Sequence, residues 1–521
     1  MKNNRAITVP HESSQKCVIG IRESLLESSY PVDVWFDSLK SAANILSTEN
    51  RELMQIIRCE RPKTVTELAG LTDRAVSNVS RTLKTLREHN LISMNSRSAN
   101  VVATAEYNDF VVLMGENFSH SNQLDEAAEL LQPIAELHTP EGTEGRAVID
   151  QWLHAVAVGS ELFCDRAVCD AERLKFSVVE VLTKNCIFIN KAQFFELIFG
   201  KLTLKPSAQP EFKFIDLFAG IGGMRLGLQS IGGACVFSSE YEKSAQKTYK
   251  DNHGELPFGD ITKIEADSIP DHDVLLAGFP CQPFSHAGVS ARNAVGKEHG
   301  FSCNTQGTLF FDILRVVDSK RPSILFLENV RNLERHDSGT TFKTIRDSIE
   351  SRGYHFSYEI INSSTVVPQR RVRCYMVCVR NDVGDNFSFP EFSGEPLPLS
   401  SILQKEVDDS YTISDKLWKG HIARSKRNVE RGTGFTAYTA DINKPSNTIV
   451  ARYGKDGKEC LVPQEGKNPR LLTQRECARL LGFPEEFKFP EARTPAYRQF
   501  GNSVVVPIIT KIAEKIKADL L

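Results

Sequence analysis

The sequence predicts an α/β protein with a doubly wound parallel sheet in its C-terminal part and a smaller, mainly α-helical domain at its N-terminus. Three observations predict this class. Apolar runs alternate with amphipathic segments between residues 212 and 379. A helix, turn, helix pattern occupies residues 49–86. The chain has 521 residues, and single cores stop growing near ~250–300 residues, so we expect at least two domains.

The composition is that of an ordinary globular chain, with 41% hydrophobic and 25% charged residues. These values exclude a collagen-like, low-complexity or largely disordered protein. No apolar run reaches the ~18–20 residues that span a bilayer. Residues 1–10 carry charge with no apolar stretch behind it, so we expect no signal peptide and a cytoplasmic address. The twelve cysteines are then expected to be reduced thiols.

The formal net charge of −3 conceals two basic islands. Residues 51–100 hold nine Lys/Arg against five Asp/Glu, and residues 411–460 hold ten against five. Two basic islands in an acidic body indicate two surfaces that contact nucleic acid. Chance clustering is the alternative at counts this small.

A polar stretch with two prolines, Leu204–Pro210, is typical of a linker, and the strands and helices of the predicted sheet follow it. Short buried strands are expected at Phe212–Phe218, Ala234–Ser239, Asp273–Ala277, Ser323–Leu327 and Val372–Val379. Helices are expected at Ser244–Asn252, Leu309–Ser319 and Phe342–Ser351. Ligands of such sheets bind at the carboxyl ends of the strands.

A glycine-rich turn, Gly220–Gly223, follows the first strand. A dinucleotide fingerprint would need a third glycine where Arg225 stands, so the turn has no place for a pyrophosphate. Glu240 follows the second strand, where a carboxylate can accept ribose hydroxyls, and Asp260 comes next. Together these residues favour a nucleoside cofactor with a cationic centre, such as S-adenosylmethionine (AdoMet). A tight turn with surface acids is the alternative.

A candidate nucleophile and a candidate general acid follow the next two predicted strands. Cys281 stands between Pro280 and Pro283, and Glu328 directly follows the strand Ser323–Leu327. Both are expected at the same sheet edge, as nucleophile and general acid. Read separately, the cysteine would be a buried hydrophobe and the glutamate a surface residue.

Alternation by two residues places Gln369, Arg371 and Arg373 on one face of the last predicted strand. Cations on this face would bind a phosphate or a base carbonyl near Cys281. An edge strand kept soluble by charge is the alternative.

Taken in order, these segments resemble the DNA (cytosine-5)-methyltransferases, and Ala451–Gly457 looks most like the Dcm-type bacterial enzymes. The resemblance covers about residues 211–521. The matching blocks are Phe214–Gly223, Gly278–Ser285, Glu328–Val330, Gln369–Arg373, Arg470–Leu480 and Tyr497–Pro507.

The resemblance implies that the target cytosine leaves the DNA stack, because its reactive edge is unreachable in a duplex. Cys281 would attack C6, Glu328 would hold N3 and the amine, and the AdoMet methyl would pass to C5. Asn329, Arg371 and Arg373 complete the implied catalytic set. The implied AdoMet contacts are Phe218, Ala219, Gly220, Gly222, Gly223, Glu240, Tyr241, Asp260, Ile261, Pro280 and Asn502. The implied DNA contacts are Gln282, Ser285, Thr448 and Arg452.

The resemblance also divides the C-terminal part of the chain. Residues 211–380 are expected to form the catalytic AdoMet-binding domain, residues 381–469 the target-recognition domain, and residues 470–521 a segment that completes the catalytic domain. The segment Ala451–Gly457 hints at a target that begins with CC. A single Pro-Cys and no Thr-Cys pair disfavour RNA as the substrate.

Residues 1–120 are predicted to form a separate DNA-binding domain. A helix at Glu49–Ile57, a second helix capped by Thr64, and a third at Arg74–Leu86 precede a two-stranded wing at Leu91–Thr104. This order resembles the winged helix-turn-helix of MarR- or ArsR-like regulators. The third helix has an apolar stripe at positions 76, 79, 83 and 86, and its expected DNA contacts are Arg74, Asn78 and Arg81. A helical scaffold is the alternative.

Residues 121–205 are expected to form a helical connector or dimerisation region. Cys164, Cys169, Cys186 and His154 lack a second ligand pair at a zinc spacing, so we expect no metal. Two functions compete. One is a restriction-modification methylase with double-stranded DNA as partner, a possible cognate endonuclease, and regulatory binding to its own promoter. The other is a transcription regulator that uses its methylase half as a DNA-binding module.

Overall fold

The computed structural model describes residues 16–21, 33–97, 100–105, 109–113, 120–185, 187–279, 309–432 and 439–521. The chain forms two compact units: one holds the described residues up to Leu130 together with Val179–Leu197, and the other holds Leu131–Val178 and Ile198–Leu521. Pro280, Cys281, Gln282, Ser285 and Cys186 lie outside the described residues. Within the described ranges, no helix is long and apolar enough to cross a membrane.

The N-terminal elements include the expected helices and hairpin. They are β1 (Lys16–Ile21), β2 (Val34–Phe36), α1 (Leu39–Ile45), α2 (Thr48–Glu60), α3 (Val65–Leu71), α4 (Val76–Glu88), β3 (Ile92–Arg97), β4 (Asn100–Ala105) and β5 (Asp109–Leu113). Strands β3 and β4 pair antiparallel, and β1 pairs in parallel with both β2 and β5. This second, parallel sheet was not predicted, because its three short strands are far apart in the sequence.

Local chemistry explains how α3 begins and how α4 packs. The Thr64 hydroxyl accepts a hydrogen bond from the Glu67 amide at 3.1 Å, which is the predicted N-cap of α3. In α4 the side chains of Val79, Leu83 and Leu86 are buried, as the stripe predicted. Val76 is 44% exposed, so its place in the stripe was wrong: it stands at the first residue of α4, before the face that packs.

Four helices follow: α5 (His120–Glu136), α6 (Gly145–Val158), α7 (Ala171–Lys184) and α8 (Lys191–Phe199). The region of the central sheet then contains β6 (Phe212–Leu217), α9 (Gly223–Ser230), β7 (Gly233–Ser239), α10 (Lys243–His253), β8 (Val274–Gly278), α11 (Leu309–Lys320), β9 (Ile324–Val330), α12 (Thr340–Glu350), β10 (Tyr354–Asn362), β11 (Gln369–Arg370) and β12 (Val372–Arg380). The remaining elements are α13 (Asp415–Glu430), β13 (Ser446–Asn447), α14 (Tyr453–Asp456), α15 (Gln474–Leu480), α16 (Arg493–Asn502) and α17 (Val506–Leu520).

The central sheet is mixed, so the prediction of an all-parallel sheet was wrong at one strand. The order is β10-β12-β9-β8-β6-β7, and β12 runs antiparallel to both of its neighbours. The connection from β10 to β12 is too short for the crossover that a parallel pair requires. As a result, β12 begins at the edge where β8 and β9 end. The C-terminal helix α17 packs on α9, so the end of the chain completes this layer.

Candidate active site

Glu328 and Arg373 meet at the carboxyl end of the central strands. In the register of the sheet, Glu328 on β9 lies beside Gly278 on β8, and Arg373 enters on the reversed strand β12. The Arg373 Nε atom lies 3.2 Å from Glu328 Oε1, and the two side chains are 14% and 12% exposed. Burial raises the pKa of Glu328, although Arg373 and Arg371 oppose the rise. The pair therefore presents a carboxyl group with a raised pKa beside a fixed cation.

Asn329 connects this pair to the chain that leads to the candidate nucleophile. Its side-chain amide donates to the Phe279 carbonyl at 3.0 Å, and its Oδ1 atom accepts from the Val330 amide at 2.8 Å. Phe279 is the last described residue before Cys281. Asn329 therefore fixes the backbone two residues before the cysteine relative to Glu328.

The glycine-rich turn lies between β6 and α9 in an unusual backbone conformation. Phe218, Gly220 and Gly222 all have positive φ values, of 56°, 56° and 85°. A positive φ is rare for an aromatic residue and is commonly found at ligand sites. The Ala219 amide donates to the Ser239 carbonyl at 3.0 Å, which ties the turn to the end of β7. Apart from its chain neighbours, no described residue lies within 4 Å of the position that a Cβ on Gly220 would take, so the described residues leave the turn open there.

Glu240, which directly follows β7, stands beside this turn. Glu240 accepts hydrogen bonds from the Gly220 amide at 2.8 Å and from the Glu242 amide at 2.7 Å. Burial raises the pKa of Glu240, and these two backbone donors oppose the rise. Asp260 accepts from the Thr262 amide at 3.0 Å. Each carboxylate keeps lone pairs free for a ligand, since an ionised carboxylate can accept about four hydrogen bonds.

Asp216 is a polar residue at this place that the sequence analysis did not single out. It stands on β6 two residues before Phe218, it is 1% exposed, and its Oδ2 atom is buried without a hydrogen-bond partner in the described part of the chain. Burial raises the pKa of Asp216 well above its usual range, against the effect of Arg225. A polar residue inside an apolar strand was the signal that could have found it.

Comparison with known proteins decides the family. A model described as C-5 cytosine-specific DNA methylase matches residues 212–518. The chain belongs to the C-5 cytosine-specific DNA methylase family. It is an AdoMet-dependent DNA (cytosine-5)-methyltransferase with an α/β methyltransferase fold and a mixed central sheet. A second model, described as HVO_A0114, matches residues 45–112 of this methylase.

Bacterial relatives match the same part of the methylase. The type II methyltransferase M.DsaV of Dactylococcopsis salina is 47% identical over 310 residues, which cover 59% of this chain and 86% of the relative. The DNA-cytosine methyltransferase of Escherichia coli K12 is 41% identical over 365 residues, which cover 59% of this chain and 77% of the relative. This chain is also similar in fold to the crystal structure of the S. pombe Dnmt2 methyltransferase, with a TM-score of 0.47 and 21% sequence identity. The match covers 59% of this chain and 99% of the Dnmt2 chain.

Arg371 occupies a different place in the methylase from Arg373. Its guanidinium is buried and donates to the backbone carbonyls of Ile449, Gly501 and Ser503. Burial is the main cause that lowers the pKa of Arg371 to about 9. These contacts make Arg371 a brace between three chain segments, whereas the expectation from alternation placed it beside the substrate with Arg373.

Three other residues that the resemblance implied as AdoMet contacts differ in position and exposure: Asn502, Tyr241 and Ile261. Asn502 is exposed at the end of α16, and its neighbours Ser503 and Val504 lie against Gly223 at the start of α9. Tyr241 is 77% exposed and Ile261 is 3% exposed. The region of Asn502 therefore lies against the glycine turn, whereas the side chain of Ile261 is buried in the core.

Gly501 lies where the C-terminal segment meets the segment that is predicted to recognise the target. A Cβ on Gly501 would overlap the backbone of Val450 and Ala451. We expect Gly501→Ala to lower the unfolding free energy by about 1–3 kcal/mol and to weaken methylation. Thermal unfolding and methylation rates measure this. Gly420→Ala on α13 is the matched control: nothing lies within 4 Å of its Cβ position, so it should stabilise the protein by about 0.5–1 kcal/mol. Equal stability of the two variants would contradict this packing.

Two residues that are predicted to contact DNA, Thr448 and Arg452, lie near that junction. The Thr448 hydroxyl donates to the Arg370 carbonyl at 2.6 Å, and Arg452 is exposed with its Nε atom 3.9 Å from Glu459. Helix α13 has one buried side chain, His421, whose Nε2 atom lies 2.8 Å from the Asp456 carbonyl oxygen. The exposed cations of this helix are Lys416, Lys419, Lys426 and Arg427.

In the N-terminal unit, Asn78 and Arg81 are exposed on α4, while Arg74 is half-buried. Arg74 precedes the helix, and its guanidinium donates to the Thr82 hydroxyl at 3.0 Å. Arg74 therefore bonds within the unit, which leaves Asn78 and Arg81 as the outward-facing pair.

Two of the residues considered for a metal have other partners. The His154 Nδ1 atom lies 3.1 Å from Glu255, and the Cys169 sulfur lies 3.9 Å from His138. Across the described ranges, no group of three or more His, Cys, Asp and Glu side chains is arranged to hold a metal ion.

Proposed function

We propose that Cys281, Glu328 and Arg373 carry the methyl transfer of this enzyme. The observation that supports this most directly is the buried pair of Glu328 and Arg373, held at the strand ends by the bonds of Asn329 to Phe279 and Val330. The thiolate of Cys281 would attack C6 of an extruded cytosine, and C5 would then take the methyl group. A base would remove the proton from C5, so that the bond from C6 to Cys281 breaks and the thiolate is released. Glu328, whose pKa burial raises, would donate to N3 while Arg373 holds the base carbonyl.

The glycine turn and its acids fit AdoMet, which supplies the methyl group when bound. The turn is open at Gly220 and has no place for a pyrophosphate because Arg225 replaces the third glycine. Glu240 would accept from the ribose hydroxyls, and Asp260 would accept from the adenine amine. Phe218 and Asn502 would line the same pocket, and the exposed Tyr241 would cover it from solvent.

Transfer of a labelled methyl group tests these roles and the substrate class together. Wild-type enzyme with labelled AdoMet should label duplex DNA and leave RNA of the same sequence unlabelled. Labelling of the RNA at a comparable rate would contradict the choice of DNA.

For the cellular role, we propose a modification enzyme of a restriction-modification system. The relatives named type II methyltransferases support this role. Residues 381–469 would act as the target-recognition domain. The cations of α13 would contact phosphates, and Thr448 and Arg452 would lie near the bases of a target that begins with CC. Gln282 and Ser285, beside Cys281, would contact DNA at the extruded base.

For the N-terminal unit, we propose a winged helix-turn-helix that binds the promoter of the enzyme's own gene. The support is the order of α2, α3 and α4 followed by the β3–β4 hairpin, with Asn78 and Arg81 exposed on α4. In this geometry α4 would enter the major groove and the hairpin would contact phosphate.

We expect Arg81→Ala to weaken binding to promoter DNA by about 1–3 kcal/mol, because a base contact is lost. Methylation should be unaffected. Gel shifts with promoter DNA and with random DNA that lacks methylation sites measure the effect. Arg58→Ala is the matched control, since Arg58 is also exposed but lies on α2. Equal affinity of the wild type for promoter and random DNA would refute promoter recognition.

A further inference from the structure

Helix α6 precedes the part of the chain that matches the family, yet it lies in the same compact unit as the catalytic sheet. Every residue from Ala147 to Val158 is buried, including the polar residues Asp150, Gln151 and His154. Buried polar residues need partners, and these three find theirs in the catalytic region or close to α6. We call residues 138–170, which contain α6, the lead-in segment.

One part of this packing consists of hydrogen bonds of Gln151 and ring contacts of Phe163, and it attaches the lead-in segment to the edge strand of the sheet. The Gln151 side chain donates to the Val236 carbonyl on β7 at 2.9 Å and accepts from the Phe163 amide at 2.8 Å. The Phe163 ring lies 4.6 Å from the Phe258 ring and 6.0 Å from the Phe237 ring, between centroids. These contacts place α6 firmly against the AdoMet side of the sheet.

The other part is charged and holds the turn at the end of α10, residues 253–256. Asp150 accepts from the Leu256 amide and from Lys250 Nζ, each at 3.0 Å. The His154 Nδ1 atom lies 3.1 Å from Glu255, whose other oxygen pairs with Arg225 on α9. Burial alone would raise the pKa of Glu255, but Arg225 and His154 lower it to about 2. The turn is therefore held by the carboxylate of Asp150 and the imidazole of His154, both on α6.

The same turn supports the glycine loop. A Cβ on Gly222 would overlap the imidazole of His253, so the loop backbone lies directly on that ring. His253 is fully buried and stands next to Gly254 and Glu255. Arg225, the partner of Glu255, lies in the first turns of α9, directly after the loop. A displacement of the turn would therefore move both the ring beneath Gly222 and the helix that follows it.

We propose that Asp150 and His154 of the lead-in segment are positioning residues for the AdoMet site in this protein. They act through the turn 253–256 on the glycine loop, without touching the cofactor. This inference rests on the proposed role of the glycine loop in AdoMet binding. It concerns cofactor affinity, so DNA affinity should be unaffected.

Three variants of the full-length protein test the role of His154. His154→Leu removes the donor to Glu255 and should weaken AdoMet binding by about tenfold or more. His154→Gln keeps a donor and should bind AdoMet within about threefold of the wild type. Trp152→Phe, the matched control, removes the bond from the indole to the Phe163 carbonyl inside the lead-in segment. It should lower the unfolding midpoint and leave AdoMet affinity unchanged.

Calorimetric titration with AdoMet, thermal unfolding and DNA gel shifts supply the readouts. Asp150→Asn is a milder second variant, which keeps an acceptor for Leu256 but loses the charge that holds Lys250, so AdoMet binding should weaken by about threefold. AdoMet affinity at the wild-type value in both His154→Leu and Asp150→Asn would overturn the proposal. An equal loss in Trp152→Phe would also overturn it, because the effect would then be general destabilisation. Wild-type protein that binds no AdoMet would overturn the cofactor assignment and this inference together.

Discussion

Replacing Cys281 with serine is expected to abolish methyl transfer while the affinities for DNA and AdoMet stay unchanged. The hydroxyl of serine is far less nucleophilic than a thiolate at neutral pH, so the variant should attack C6 of cytosine far more slowly. The rate should fall by a factor on the order of 10⁴ or more. Single-turnover transfer of a labelled methyl group to target DNA measures the loss. Methylation by the variant at a tenth of the wild-type rate would show that another residue makes the attack.

A matched control and a covalent trap sharpen this result. Cys59 is an exposed free cysteine on α2 of the N-terminal unit, so Cys59→Ser should retain full activity. DNA with 5-fluorocytosine at the target position cannot lose a proton from C5, so the bond to the nucleophile should persist through a denaturing gel. The wild type and Cys59→Ser should form this complex, and Cys281→Ser should not.

Replacing Glu328 with glutamine is expected to have the second largest effect. The amide keeps the shape of the side chain but cannot deliver a proton to N3, and it no longer pairs with Arg373. General acid catalysis contributes about 10²–10⁴-fold, so kcat should fall by that factor while the affinity for target DNA changes little. Steady-state kinetics with separate titration of DNA and AdoMet measure the two effects.

The control for this prediction is Glu359→Gln, which makes the same change of charge on β10 of the same sheet. Glu359 is exposed, and its register partner Tyr375 on β12 is in turn paired with Glu328. The control should leave kcat unchanged. A fall in DNA affinity with an unchanged kcat in Glu328→Gln would contradict a role as general acid and indicate a role in binding alone.

Sequence patterns were sufficient to predict the strands that carry the site, because buried strands are short apolar runs bounded by polar turns. The predicted strand Ser323–Leu327 ends directly before Glu328. In the structure the strand continues for three more residues, to Val330. The direction of β12 could not be predicted in this way, since hydrophobicity does not encode strand direction. The reversal came from a short connection to β10, a strand that the sequence analysis missed.

Alternation predicted that Arg371 and Arg373 share one face, but it could not say what surrounds each side chain. Arg373 meets Glu328, whereas Arg371 is covered by Ile449, Gly501 and Ser503 from distant parts of the chain. Likewise, the sequence suggested His154 only as a possible metal ligand. Its partner Glu255 lies about a hundred residues later in the sequence. Contacts of this range depend on packing between elements, which local patterns do not contain.

Bisulfite sequencing of plasmid DNA from cells that lack other cytosine methylation tests the central claim most directly. Plasmid from cells expressing the wild-type chain should retain unconverted cytosine at one position of a single short sequence, on both strands. Plasmid from cells expressing the Cys281→Ser variant at the same level should be converted at every cytosine. Complete conversion with the wild type, or equal protection with the variant, would contradict cytosine-5 methylation by Cys281.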